Sequence, residues 1–111
     1  MRFEVVTLFP ELFEVLNHGL LGKAREAGRV DVHTITPRRF TTDRHRTVDD
    51  APYGGGSGMV LMPGPIAVAL DHLDEAREGR VSHRVLLTPQ GERFTQAHAR
   101  RFSEIDSLTL V

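Results

Sequence analysis

The 111-residue chain contains no cysteine, which excludes disulfides, thiolate zinc sites and a cysteine nucleophile. No apolar run approaches the roughly 20 residues that a membrane-spanning helix needs, and Met59–Met62 is typical of the short runs present. Glu4 interrupts the apolar stretch at the N-terminus, so a signal-peptide core is also missing. We therefore expect a cytoplasmic protein that has no membrane partner.

An excess of charge of one sign is missing as well. The net charge is −1, so no global positive field attracts the chain to nucleic acid, and binding to RNA would require a local basic patch. Hydrophobic residues make up 40% of the chain and charged residues 26%, values that are ordinary for one globular domain. No internal repeat, low-complexity tract or linker divides the chain.

Strand-like and helix-like segments alternate along the chain. Apolar runs predict strands at Phe3–Leu8, Val30–Ile35, His83–Leu87 and Leu108–Val111, and helical spacing predicts helices over about 10–28, from 63 onward, and over 95–104. Between the second strand and the second helix, a polar and glycine-rich loop is expected from Pro37 to about Gly58. This alternation predicts an α/β fold with a mostly parallel sheet and flanking helices.

Helical spacing also predicts which side chains face inward. These are Leu12, Phe13, Leu16 and Leu20 in the first helix, Ile66, Ala69, Leu70 and Leu73 in the second, and Phe94, Ala97, Phe102 and Ile105 in the third. The charged side chains of the second helix, Asp74, Glu75, Arg77 and Glu78, are expected on a solvated face.

The most informative segment runs from Asp43 to Met59. Two arginines and a histidine precede the acids Asp49 and Asp50, and four glycines then follow within five residues. A plain linker rarely has arginine, histidine and tyrosine beside its glycines. Clustered glycines let backbone N–H groups approach a ligand or a second chain, and arginine and histidine donate to anionic or planar partners. A solvated charged loop is the simpler interpretation, but the adjoining carboxylates, which can accept from nucleobase amino groups, favour RNA binding.

A second candidate site is the turn from Thr88 to Gly91, which follows the third predicted strand. Ligands of open α/β sheets gather at the carboxyl ends of the strands. Pro89 makes this turn rigid, Gly91 permits an unusual backbone angle, and the backbone of residues 87–90 can pair with the edge of a heterocycle. The alternative is an ordinary connection between a strand and a helix.

Several familiar motifs are missing. The glycines at 54–58 have no Lys-Ser/Thr pair after them and lack the Gly-x-Gly-x-x-Gly order, so neither a Walker phosphate loop nor a dinucleotide fold is indicated. Ser57 fails the nucleophile-elbow pattern by one position. The six histidines show no metal-ligand spacing, so no metal site is expected, and His33 is predicted to be a partly buried structural residue.

Five stretches together resemble one known family. They are residues 7–13 (TLFPELF), 21–24 (LGKA), 36–41 (TPRRFT), 43–59 and 87–91 (LTPQG). These stretches are similar to those of the bacterial tRNA (guanine-N1)-methyltransferases, members of the SPOUT superfamily, and the similarity covers essentially the whole chain. Departures from the family occur at Arg39, Ser57 and Thr88, where an acid, a proline and a serine are common.

The resemblance implies transfer of a methyl group from S-adenosylmethionine to N1 of the guanosine 3′ of the anticodon, position 37 of tRNA. It also implies a homodimer whose subunits share the catalytic pocket, and a sheet with a deep trefoil knot that holds the cofactor. By this resemblance, the cofactor contacts Leu87, Thr88, Pro89 and Gln90. The residues near the RNA or the dimer partner are Arg44, His45, Asp49, Tyr53, Gly54, Gly55, Gly56 and Gly58.

The same resemblance places part of the active site outside this chain. The general base and the remaining cofactor loops are expected beyond Val111, so no catalytic residue is assigned within the chain. We also expect the knot to be truncated and the C-terminal tRNA-binding domain to be absent. We therefore expect residues 1–111 to be the N-terminal part of a single SPOUT methyltransferase domain, inactive alone. Two alternatives stay open: a non-catalytic SPOUT-like module that binds RNA or a partner, and an unrelated α/β nucleotide binder.

Overall fold

The computed structural model describes all residues from Met1 to Val111 and has an α/β fold. In chain order the strands are β1 (Arg2–Val6), β2 (Asp31–Ile35), β3 (Asp49–Asp50), β4 (Val60–Leu61), β5 (His83–Val85) and β6 (Ser107–Leu110). The α-helices are α1 (Gly19–Glu26), α2 (Pro63–Glu75) and α3 (Gln96–Ser103), and two 3₁₀ helices span Pro10–Asn17 and Pro37–Phe40. None of these helices has the length and apolar character needed to cross a membrane.

The main sheet has four strands in the order β2-β1-β6-β5, and every neighbouring pair is parallel. The predicted mostly parallel sheet is therefore confirmed. The last strand in the sequence, β6, lies between β1 and β5, and Leu108 and Thr109 are buried there. Because all four strands run the same way, their carboxyl ends lie along one edge of the sheet, where the loops after β2 and β5 begin.

One face of the sheet packs against α2. Ile35 of β2 and two α2 residues, Ala69 and Leu73, form a small buried cluster, against which Val6 and Phe40 pack. The prediction that Ala69 and Leu73 face inward is thus confirmed. The N-terminus of α2 follows the sequence signal, since Pro63 lies in its first turn, where a missing N–H group has no helical partner to lose.

The other face of the sheet is covered less completely. The segment 10–26 covers one side of it and α3 the other, and two apolar cavities of about 240 and 520 Å³ lie along it. Only 12 of the 111 residues are buried, and the radius of gyration is 15.7 Å. A compact domain of this length has a radius of gyration of about 13 Å, so the chain is more open than an independent domain of its size.

A buried polar network joins α2 to the centre of the sheet. The Glu4 carboxylate is 0% exposed; its Oε1 lies 3.1 Å from Arg2 Nε and 3.5 Å from Arg77 Nε, and Oε2 accepts from the Thr109 hydroxyl at 2.9 Å. Arg77 also donates to Ser107 Oγ at 2.8 Å and to Asp74 Oδ1 at 2.9 Å. The network thus connects β1, β6 and the end of α2.

The prediction that Arg77 is solvated is therefore wrong. Its side chain is only 9% exposed, because the end of α2 lies over the buried carboxylate of Glu4, which needs a cation beside it. Asp74, predicted on the same solvated face, is half-buried and pairs with both Arg77 and Arg84. Helical spacing alone does not show that Glu4 on the neighbouring strand will draw Arg77 inward, or that Asp74 will pair with the arginines there.

The predicted first helix is broken in the structure. The chain forms a 3₁₀ helix over Pro10–Asn17 and then α1, and the break falls at Gly19, whose φ of +64° is incompatible with a continuing right-handed helix. Residues after the break no longer continue the spacing of those before it, and within the 3₁₀ helix side chains repeat every three residues instead of every 3.6. Leu12 and Leu20, predicted inward, are 66% and 85% exposed.

Three other sequence predictions also need correction. The third helix forms close to its predicted bounds, but Phe94 lies before it and is exposed, Ala97 is exposed on its outer side, and its inward side chains are those of residues 98, 99 and 102. His33 is exposed and lies 2.6 Å from Asp31 Oδ2. The loop predicted from 37 to 58 contains a 3₁₀ helix and one strand of the antiparallel ladder between β3 and β4.

Replacing Arg77 with alanine should destabilise the protein by about 3 kcal/mol at pH 7, because the Glu4 carboxylate then loses a buried cation. Urea unfolding measures the change. The matched control is Arg80→Ala: the Arg80 side chain is 80% exposed, so its loss should cost no more than about 0.5 kcal/mol. Equal midpoints for the two variants would show that the Arg77 pair contributes nothing.

Gly22→Ala should destabilise the protein by about 1–3 kcal/mol, because the new methyl group would lie 2.3 Å from the Asn17 carbonyl oxygen and push α1 away from the preceding 3₁₀ helix. Gly64→Ala is the control, since nothing lies within 4 Å of a methyl group there, and it should be neutral or stabilising by up to about 1 kcal/mol. Urea unfolding of both variants tests the difference, and an unaffected Gly22→Ala protein would contradict it.

Candidate functional site

The first candidate surface is the turn after β5, at the carboxyl edge of the sheet. The Leu87 N–H group donates to the Val111 carbonyl at 2.8 Å, and the Val111 N–H group donates to the Val85 carbonyl at 2.9 Å. These two bonds continue the pairing of β5 with β6 beyond the strands themselves. The turn therefore starts from a fixed position at the edge of the sheet.

Within the turn, Thr88 organises the backbone. Its hydroxyl oxygen accepts from the Gln90 N–H group at 3.3 Å, and its carbonyl accepts from Gly91 N–H at 3.1 Å. The predicted unusual backbone angle at Gly91 is wrong, because its φ is not positive. Glycine instead avoids crowding there, since a methyl group would lie 3.2 Å from the Thr88 carbonyl oxygen. Together with the fixed φ of Pro89, these contacts make the turn rigid.

An apolar cavity of about 520 Å³ adjoins this turn. Leu87 and Phe94 line it on the side of the turn, and Phe3 and Leu110 line it on the sheet. Ten of its eleven lining residues are hydrophobic. The cavity offers van der Waals contact to a flat ring, but it lacks hydrogen-bond partners for charged or hydroxylated groups.

The second candidate surface begins with a tight turn at residues 43–47. The Asp43 carboxylate accepts from the Thr47 hydroxyl at 2.7 Å and from the Thr47 N–H group at 3.0 Å. These hydrogen bonds stabilise the ionised form and hold the pKa of the Asp43 carboxyl below its usual range. Arg46 adopts φ +51°, a left-handed conformation that lets the chain reverse here.

This turn is tied to the 3₁₀ helix that precedes it. Arg38 Nη1 donates to the Arg46 carbonyl at 3.1 Å, and the Arg38 N–H group is capped by Thr36 Oγ1 at 3.4 Å. Pro37 is buried and Phe40 packs on the α2 cluster, which anchors the helix. Arg44 and His45, predicted to face RNA or a dimer partner, are both exposed on the turn.

The acids follow at the base of a hairpin. Asp49 pairs with Leu61 and Asp50 with Val60 in the short ladder, and the Met62 N–H group donates to the Val48 carbonyl at 2.7 Å. Val48 is 1% exposed, so the hairpin is anchored on the core at its base. The Asp49 carboxylate has no hydrogen bond or ion pair within the chain and is therefore available to a partner.

The glycine loop projects from this hairpin. Gly54, Gly55, Gly56 and Gly58 all have positive φ angles, between +80° and +124°, and no atom lies within 4 Å of where their side chains would begin. Tyr53 beside them is fully exposed. Backbone conformation rather than crowding thus requires glycine here, and the backbone hydrogen bond of this loop is the one from Gly55 N–H to the Pro52 carbonyl at 3.2 Å.

The structure groups the predicted residues into two surfaces. Arg44, His45 and Asp49 belong with the glycine loop, and residues 87–90 form the turn at the edge of the sheet. No hydrogen bond or ion pair joins the two surfaces. The sequence did not predict that a hydrogen bond from Arg38 to the Arg46 carbonyl holds the turn to the 3₁₀ helix. The spacing of Asp43 and Thr47 is, however, a recognisable signal of a local turn closed by a side chain bonded to the backbone.

The comparisons with known proteins agree on one family. The family described as tRNA (Guanine-1)-methyltransferase TrmD matches residues 1–111. A tRNA (guanine-N(1)-)-methyltransferase of Oleidesulfovibrio alaskensis is 55% identical over 100% of this chain and 25% of its own length. One from Micrococcus luteus is 53% identical over 93% of this chain and 47% of its own length.

A solved structure shares the fold. The crystal structure of the tRNA (m1G37) methyltransferase from Aquifex aeolicus superposes with a TM-score of 0.86 at 33% identity, over 99% of this chain and 49% of that protein. The chain thus spans between about a quarter and a half of the length of the relatives that it matches.

Proposed function

The chain belongs to the tRNA (guanine-1)-methyltransferase family, and from this we propose that it is the N-terminal part of a single methyltransferase domain. The longer protein then transfers a methyl group from S-adenosylmethionine to N1 of guanosine 37 in tRNA. The observation on which the proposal depends is the family match over all of residues 1–111. The incomplete cover of one sheet face and the open shape of the chain support a larger domain.

The turn at residues 87–90 is our proposed cofactor contact. Within residues 87–90 only the Thr88 N–H group and the carbonyls of Leu87, Pro89 and Gln90 lack partners in the chain. These groups fit the edge of an adenine ring, and Leu87 and the neighbouring cavity fit its apolar faces. The cavity provides no partner for the amino and carboxylate groups of S-adenosylmethionine, so the turn fits only part of that molecule. When bound, S-adenosylmethionine supplies an electrophilic methyl group. The rigidity of the Thr88–Gly91 turn helps by fixing the bound position in advance.

The second surface is our proposed contact for the tRNA. Guanine presents N1–H and an exocyclic amino group as donors, and the free carboxylate of Asp49 is an acceptor suited to them. Arg44 and His45 supply donors for the anionic backbone, and the glycine loop permits close approach of its N–H groups. Removal of the N1 proton needs a base, which we place outside this chain.

We also propose that the protein is a cytoplasmic homodimer in which the glycine loop and Tyr53 meet the RNA or the second subunit. The fully exposed Tyr53 and the open space around the glycines support this, because a partner can approach the backbone closely there. A tyrosine in an interface adds a large contact area and loses little conformational entropy on binding, because its side chain has only two rotatable bonds.

A methyl-transfer assay tests the proposed function. A full-length protein that contains these residues is incubated with labelled S-adenosylmethionine and with tRNA transcripts that have guanosine or adenosine at position 37. Label should enter only the guanosine transcript, as N1-methylguanosine. The isolated chain 1–111 should incorporate none, because it lacks the base and part of the cofactor site.

Either of two results would contradict the proposal. Transfer to the adenosine transcript would refute the specificity, and tRNA binding by the full-length protein without any transfer would favour a non-catalytic RNA-binding module. Measurable transfer by the isolated chain would refute only the division of the active site.

In the full-length protein, Asp49→Ala should lower kcat/KM for tRNA on the order of 10- to 100-fold, the loss expected for a hydrogen bond from a charged group. The control is Asp71→Ala, which removes an exposed carboxylate of α2 with no partner in the chain and should leave the rate unchanged. Circular dichroism should show both variants folded. A fully active Asp49→Ala enzyme would remove Asp49 from the site.

A further inference from the structure

Four arginines lie within nine residues of one another, on the second 3₁₀ helix and the turn after it, and we call them the basic ridge: Arg38, Arg39, Arg44 and Arg46. We propose that the basic ridge binds the phosphate backbone of the RNA substrate and that Arg39, which is exposed on the 3₁₀ helix, is one of its phosphate contacts. This inference rests on the proposed function, since it concerns how the same substrate is held.

Charge is the first observation that supports a polyanionic partner. Between residues 38 and 46 there are four arginines and one acid, so the local charge is 4 − 1 = +3 with His45 neutral, in a chain whose total is −1. None of the four guanidinium groups has a carboxylate within 4.0 Å. In contrast, Arg2, Arg77, Arg80 and Arg84 all have an acidic partner.

The one acid in the segment does not neutralise the ridge. Asp43 accepts from the Thr47 hydroxyl and backbone, and the lowered pKa of its carboxyl reflects those bonds rather than an arginine. Its part is to hold the turn in shape. No carboxylate pairs with the ridge, although Asp49 and Asp50 follow it and lower the net charge of residues 38–50 to 4 − 3 = +1. The unpaired guanidinium groups provide a positive local field for an anion.

The ridge is also held in place before any ligand arrives. The hydrogen bond from Arg38 to the Arg46 carbonyl joins the two halves, and Thr41 Oγ1 donates to the Arg38 carbonyl at 3.0 Å. Phe40, next to Arg39, packs against His72 of α2 with ring centroids 5.5 Å apart. The backbone from which the guanidinium groups project is thus fixed to the core, so less ordering is needed on binding.

RNA fits this surface better than a second copy of the chain does. Each nucleotide brings a phosphate, whose oxygens match the two-pronged donor geometry of a guanidinium group. A second copy exposes a few acids along α2, among them Asp71 and Glu75, but its net charge is only −1 and it lacks the regular, repeated anions of a phosphate backbone. The free Asp49 carboxylate and the glycine loop continue from the ridge, so a strand held by its phosphates could present a base to them.

The salt dependence of tRNA binding tests the ridge. In the full-length protein, the affinity for tRNA is measured by fluorescence anisotropy between about 50 and 200 mM salt, where each lost phosphate contact reduces the slope of log K against log salt by about 0.7–0.9. Arg39→Ala should lower affinity several-fold at the lowest salt and reduce the slope by about that amount. Arg39→Lys should keep most of the slope, because the charge remains.

Arg29→Ala is the matched control, because Arg29 is also exposed and unpaired but precedes β2, at the opposite end of that strand. It should change neither affinity nor slope. Affinity for S-adenosylmethionine, measured by calorimetry, should be unchanged in all three variants.

The proposal is overturned if the slope of log K against log salt is the same for Arg39→Ala as for Arg29→Ala. It is also overturned if Arg39→Ala no longer forms a dimer in sedimentation while its RNA affinity is unchanged, because Arg39 would then contact the partner subunit. The proposed function has a separate criterion. If the unmodified protein binds tRNA with the expected slopes but methylates no guanosine, the basic ridge stands and the enzymatic assignment fails.

Discussion

The buried carboxylate of Glu4 constrains the rest of this structure. It lies at the centre of the sheet, without solvent, and is tolerable there only because Arg2, Arg77 and the Thr109 hydroxyl surround it. Those partners come from β1, from the end of α2 and from β6, so one group sets the position of α2 on the sheet and of β6 beside β1. The Ser82 and Thr109 hydroxyls, which are hydrogen-bonded to each other, extend the same contact to the start of β5.

This framework explains why the two candidate surfaces are anchored separately. The turn after β5 is positioned by β6, through the bonds of Leu87 and Val111, and β6 is positioned in part by the network around Glu4. The basic and glycine-rich surface is instead anchored by Pro37, Phe40 and Val48 on the α2 side. Both surfaces are therefore attached to the same sheet, although no direct hydrogen bond or ion pair connects them.

Much of the fold could be predicted from the sequence, because parallel strands buried in a sheet are short apolar runs and the intervening segments have helical spacing. The buried Glu4 and Arg77 pair could not, since an acid on a strand and an arginine on a helix each look solvated until the topology brings them together. The break at Gly19 depends on local backbone geometry that periodicity does not detect. For the candidate site, the unusual composition of residues 43–59 points to this surface, and its contact with RNA or a second subunit stays a prediction. The contact between Arg38 and Arg46, which shapes that surface, depends on a left-handed residue that no spacing rule predicts.

The position of β6 between β1 and β5 has a consequence for how the chain acquires its structure. The Thr109 hydroxyl bonds to a carboxylate 105 residues earlier, so the central pairing of the sheet joins the first and last strands described here. During synthesis, β1 and β2 can associate while the ribosome is still translating the segments that follow, but β5 has no neighbour until β6 emerges. Folding of the sheet therefore waits for a late event with a large loop to close, which makes it intrinsically slow and leaves apolar strand edges open to chaperones in the meantime.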